Sequence, residues 1–189
     1  VGSSSNTFTI SRTNDLVTNV KMQYSTNGGS DWSDIAGAGN VALTAADTDW
    51  DWDNVPDAIS QTVRLQAVDT ENANIIGLSE NFHIIGGLSL DYPTGGEIIP
   101  TEPKDKNIQF TTTGSIANVK IYYSSNSGSD YTYIDTKACG AEDSYNYAWS
   151  DMPDAVTKTA RIKITDALAA TEDVVKDESA SDFILKAPL

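Results

Sequence analysis

One stretch occurs twice in this chain and constrains the fold more than any other feature. The copies are Val20-Lys-Met-Gln-Tyr-Ser-Thr-Asn-Gly-Gly-Ser-Asp-Trp32 and Val119-Lys-Ile-Tyr-Tyr-Ser-Ser-Asn-Ser-Gly-Ser-Asp-Tyr131. In the first, Val20, Met22 and Tyr24 alternate with Lys21, Gln23 and Ser25. One face is apolar and the other polar, which is the period of a half-buried strand. Asn27 and Gly28 tolerate positive φ and predict a tight hairpin turn, with Trp32 and Ile35 starting the returning strand. The second copy repeats the plan with Val119, Ile121 and Tyr123, then Asn126 and Gly128, then Tyr131 and Ile134.

The correspondence runs along the whole chain. Asn19 aligns with Asn118, Trp52 with Trp149, Pro56 with Pro153 and Phe82 with Phe183. Its slips fall between Ile35 and Trp52 and between Asp166 and Phe183, as length changes in loops of a shared scaffold do. Thr62–Val68 matches Thr159–Thr165, with Val63, Leu65 and Ala67 expected inward and Arg64 outward. The repeat divides the chain into residues 1–86 and 87–187, with 188–189 expected to open a further unit. Leu88–Ile98, a strand followed by a Pro/Gly turn, has no counterpart before Val1, so the first domain is expected to lack its first strand. Gly86 and Gly87 form a linker too short for free motion between the two. Many short strands with turn signals between them predict an all-β chain of two tandem immunoglobulin-like (fibronectin-III-like) antiparallel β-sandwiches. Residues 168–179 are the one place where a short helical turn is expected.

Charge narrows the partners. The chain carries 27 acidic and 12 basic residues, a formal net charge of −15. Such a surface repels phosphate, which argues against nucleic acid and anionic membranes. No apolar run is long enough for a membrane helix, so membrane insertion of this segment is not expected. Cys139 is the single cysteine, so stability must come from cores rather than from a disulfide within the chain.

Several segments of the second domain, taken in order, resemble a known repeat: Pro93-Thr-Gly-Gly-Glu97, Ile108–Gly114, Asn118–Asn126, Trp149 with Pro153, and Ala160–Asp166. They look like the immunoglobulin-like repeat of the Ser-Thr-rich, GPI-anchored cell-wall protein family, whose relatives recur in tandem in secreted and surface microbial proteins. Phe110 and Ile10 depart from that pattern where the family often has Trp, as do Asn27 and Asn126 where Asp is common. The resemblance implies a secreted or cell-surface location and a structural or adhesive role.

Four residue groups are candidates for chemistry. In Asp47-Thr-Asp49-Trp-Asp51-Trp-Asp53 an extended strand would put the four carboxylates on one face and Trp50 and Trp52 on the other. Calcium is the cation such a row suggests, although Trp52 and Ala58 stand where a helix-loop-helix calcium loop needs Gly and Glu. A solvated acidic face explains the row without a metal. Ser25–Trp32 resembles the Asp-box hairpin of sialidases, a turn-capping motif, while the chain's three arginines are too few for a sialidase site. His83, the only histidine, alternates away from the core between Phe82 and Ile84, and Cys139 has no second thiol, so no catalytic residue is assigned. Among the aromatics, Tyr122 and Tyr133 are expected to face outward, where a ring could stack on a sugar, while Tyr123, Trp32, Trp52 and Trp149 are assigned to cores or strand packing.

The reading is therefore a non-catalytic extracellular stalk, spacer or assembly module. Neighbouring repeats of the same chain are its expected partners, and self-association into a filament or surface layer is a further expectation. The alternatives are a carbohydrate-binding adhesion module and an accessory region of a secreted hydrolase.

Overall fold

A computed structural model describes residues 6–140, 143–154, 156–168 and 170–187. The chain divides into two compact units, Val1–Ile85 and Gly86–Leu189, one residue from the expected boundary. Residues 188–189, expected to open a further repeat, lie outside the described residues.

Unit 1 contains β1 (Asn6–Ser11), β2 (Asn19–Ser25), β3 (Ser33–Asp34), β4 (Val41–Ala42), β5 (Asp47–Trp52), β6 (Ser60–Asp69), β7 (Ile76–Leu78) and β8 (Phe82–Ile84). β1 pairs with β5, and the facing sheet runs β3-β2-β6-β7, with β4 on β2 and β8 on β6. Unit 2 contains β9 (Gly87–Tyr92), β10 (Ile98–Pro100), β11 (Asn107–Thr113), β12 (Asn118–Ser124), β13 (Thr132–Ala138), β14 (Ser144–Ala148), β15 (Thr157–Asp166), β16 (Lys176–Glu178) and β17 (Phe183–Lys186). Its sheets run β14-β11-β9 and β10-β17-β15-β12-β13, with β16 on β15. Each unit is thus two mainly antiparallel sheets face to face, an immunoglobulin-like or fibronectin-III-like sandwich.

The alternating residues build the cores as expected. Val20, Met22, Val63, Leu65, Trp52 and Ile84 are buried in unit 1, and Val119, Ile121, Ile162, Ile164, Trp149 and Phe183 in unit 2. Full burial of each aliphatic side chain contributes about 1.5–3 kcal/mol. Ala67 is only half-buried, at the rim of its core. The indole N–H groups of Trp52 and Trp149 are buried at matching places, and neither has a hydrogen-bond partner.

Three local expectations change. The hairpin is not a two-residue turn: β2 ends at Ser25 and β3 begins at Ser33, so residues 26–32 bridge them. Trp32 lies outside the core, its ring over the hairpin, where a Cβ on Gly29 would come within 3.2 Å of it. In unit 1 the returning strand is split into β3 and β4, because Ile35 and Ala38 turn into the core between them. Of residues 168–179, expected to form a short helical turn, only the first part does so, with Thr171 and Glu172 N–H both donating to Leu168 C=O, whereas Lys176–Glu178 form β16 against β15.

Candidate binding surfaces

The hairpin shows how the local sequence makes a rigid scaffold. Ser25 Oγ accepts from the N–H of Asn27 (3.2 Å) and Gly29 (2.8 Å) and donates to Asn27 Oδ1. Asn27 Oδ1 also accepts from Asp31 N–H, and its Nδ2 donates to Asp31 Oδ2 at 2.8 Å. Ser124, Asn126, Gly128 and Asp130 repeat every one of these bonds. Gly28 and Gly29 take φ of 73° and 98°, and Ser127 and Gly128 take 59° and 82°, so a serine occupies a left-handed position that suits glycine. Thr26 C=O accepts hydroxyls from Ser60 and Thr62, as Ser125 C=O does from Thr157 and Thr159, tying each loop to the next strand. The network is satisfied within the loop, and it holds a turn rather than a ligand.

The acidic row sits on β5 as alternation requires: Asp47, Asp49 and Asp51 are exposed and Trp52 is buried. β1 runs antiparallel with Thr7 opposite Asp51, Thr9 opposite Asp49 and Ser11 opposite Asp47. Each hydroxyl donates to the carboxylate across from it, at 2.6, 2.8 and 2.6 Å. Sequence reasoning could not find these donors, because the strand register supplies them. Asp53 lies beyond the strand end, exposed. Among the described residues no three His, Cys, Asp or Glu side chains converge as a metal would need. The four carboxylates form a line rather than a cage.

Tyr122 and Tyr133 come together on the outer face of the second sheet of unit 2. The register places Tyr122 beside Tyr133 on one side and beside Lys163 on the other. Their rings meet edge to face at 5.8 Å between centroids. Tyr133 is 52% exposed, whereas Tyr122 is half-buried and its hydroxyl donates to Glu172. Burial first, and then the Glu172 carboxylate, raises the Tyr122 pKa. Lys120 Nζ pairs with the other oxygen of Glu172 at 2.7 Å, and the Lys120 and Tyr122 donors hold that carboxyl below its usual range. Lys163 Nζ lies 4.9 Å from the Tyr122 ring centre and 4.3 Å from that of Tyr131, so the cation sits between two π faces. Tyr131 donates to Glu178 at 2.7 Å, and burial followed by that bond pushes its phenol well up.

The patch therefore offers one open ring, Tyr133, framed by tyrosines whose hydroxyls are already committed. Tyr131 and Lys163 belong to it and carry no signal in one copy of the sequence; the cross-strand register brings them in. At the same lattice points unit 1 has Gln23 and Asp34, bonded at 2.7 Å, with Lys21 3.0 Å from the same carboxylate. His83 is exposed, as alternation predicts. Cys139 is half-buried, with its thiol pKa raised chiefly by burial, the opposite of an activated nucleophile.

No family model matches the chain, so its resemblance to the cell-wall repeat rests on the residues quoted above. No curated protein matches either. Among solved structures, one similar to this chain is the crystal structure of chicken CNTN1 FN1-FN3 domains, at 10% identity and a TM-score of 0.34. The alignment takes in 100% of this chain, which spans 60% of that structure's length.

Proposed function

We propose that the chain is a non-catalytic structural module of a secreted or cell-surface protein, serving as a stalk, spacer or assembly element. The duplicated hairpin network carries this reading: the side chains that the two units share hold turns and cores, whereas the surface groups differ. Its expected partners are neighbouring repeats and other copies arranged in a filament or layer, with contacts made by strand edges and loops. The resemblance of Pro93–Asp166 to surface repeats supports the location. A polysaccharide pull-down and glycan array test the role. No saturable binding is expected; saturable binding lost in Tyr122→Ala or Tyr133→Ala would overturn it.

The second reading, carbohydrate binding, is favoured by one observation: an exposed Tyr133 ring flanked by Tyr122 on the outer sheet face. A pyranose would stack on Tyr133 while Lys163 and Glu172 bound its hydroxyls. The same array decides between the two.

A further inference from the structure

Asn27 and Gly28 form the single asparagine-glycine step of the chain. In such a step the glycine nitrogen can attack the neighbouring side-chain amide, because no Cβ crowds the nitrogen and the backbone turns freely. A bond forms from Gly28 N to Asn27 Cγ, the proton of that N–H passes to Nδ2, and Nδ2 leaves as ammonia. The five-membered imide left behind is opened by water at either of its carbonyls. One product is aspartate, and the other is isoaspartate, in which the main chain runs through the side-chain carboxyl carbon. No oxidant or reductant takes part.

Both residues are exposed, so burial does not keep water away. Hydrogen bonds hold the reacting groups apart instead. Gly28 N–H donates to Thr62 C=O on β6 at 2.8 Å. Asn27 Oδ1 accepts from Ser25 Oγ at 2.8 Å and from Asp31 N–H at 2.9 Å, and Nδ2 donates to Asp31 Oδ2 at 2.8 Å. Attack on Cγ requires the loop to leave β6 and the amide to turn away from Asp31. The second hairpin is a control within the same molecule. Ser127 N–H donates to Thr159 C=O at 2.8 Å and Asn126 is held by Asp130 in the same way, but Ser127 carries a Cβ beside the attacking nitrogen.

We propose that Asn27 is a site of spontaneous deamidation that the folded hairpin keeps shut and that opening of unit 1 exposes. The modification is a covalent record of unfolding, and it weakens the unit that carries it. Aspartate at this position puts an oxygen where Nδ2 now donates to the Asp31 carboxylate, so a hydrogen bond becomes a contact between like charges. Isoaspartate adds a main-chain atom between the amide at residue 28 and the rest of the loop, which displaces the bond to Thr62 C=O. The inference is independent of the structural and adhesive readings, since it concerns the chemistry of the hairpin alone.

The test incubates the full 189-residue chain in mildly alkaline buffer, folded and in urea, and follows Asn27 and Asn126 by peptide mapping with mass spectrometry. In urea Asn27 should convert faster than Asn126. In the folded chain Asn27 should convert more slowly than in urea by roughly tenfold or more, because only the opened fraction reacts. Asp31→Ala removes the carboxylate that holds Nδ2 and should raise the folded-state rate by roughly threefold or more, with circular dichroism and the rate in urea unchanged. Asn27→Asp, which copies one product, should lower the melting temperature. Equal rates at Asn27 in the folded and urea-unfolded chain would overturn the proposal, as would Asn126 converting first in urea. A folded-state rate unmoved by Asp31→Ala would remove the hairpin bonds as the lock, and an unchanged melting temperature in Asn27→Asp would refute the weakening.

Discussion

Single residues in this chain are explained mostly by where the alternation puts them. Trp149 is buried, packs at 5.5 Å from the Tyr123 ring and fills the centre of unit 2. Trp149→Ala should cost about 3–5 kcal/mol in denaturant unfolding, through lost transfer energy and a cavity. Ser124 anchors its loop through several bonds while buried, so Ser124→Ala leaves the N–H groups of Asn126 and Gly128 without their acceptor and should cost about 1–3 kcal/mol. Asp49→Ala, in the exposed ladder, should move stability by only about 0.5 kcal/mol. Asp182 is held below its ordinary pKa by Ser127 first and Arg161 next. Its stabilising contribution is full above the ordinary carboxylate range and is lost as pH falls through its depressed folded value. Asp182→Asn should therefore flatten the acid limb of a melting temperature against pH profile, and an unchanged limb would remove Asp182 as a contributor.

At the scale of elements, pairing decides what a charged stripe means. The row Asp47, Asp49 and Asp51 invites a metal when read alone, yet β1 offers a hydroxyl to each carboxylate along the ladder. Cross-strand partners of this kind stabilise a pair of strands by about 0.2–1 kcal/mol each. We expect the melting temperature to be unchanged between calcium and chelator; a calcium-dependent rise would restore the metal reading. The split of the returning strand into β3 and β4 has the same lesson, since Ile35 and Ala38 leave the ladder for the core in unit 1 whereas β13 runs unbroken in unit 2. Alternation along β2 could not show it, because the interruption lies in the partner strand.

Over the whole molecule, two sandwiches share one scaffold and differ in surface. The period of two along the strands, the repeated turn residues and the matched tryptophans were enough to determine two all-β units and most of their cores, because side-chain direction in a strand follows from sequence parity alone. The same parity put Tyr122 and Tyr133 on the outer face and His83 in solvent. Tertiary structure alone decided which outward groups meet. Lys163 reaches Tyr122 and Tyr131, Thr9 reaches Asp49 and Glu172 reaches Tyr122 across strands or from a distant loop, and sequence parity does not encode strand register. It also decided that the aromatic after the hairpin covers the turn rather than the core. Alternation is a local property of the backbone, whereas neighbours across a sheet and the closure of its edges depend on segments far apart in the chain.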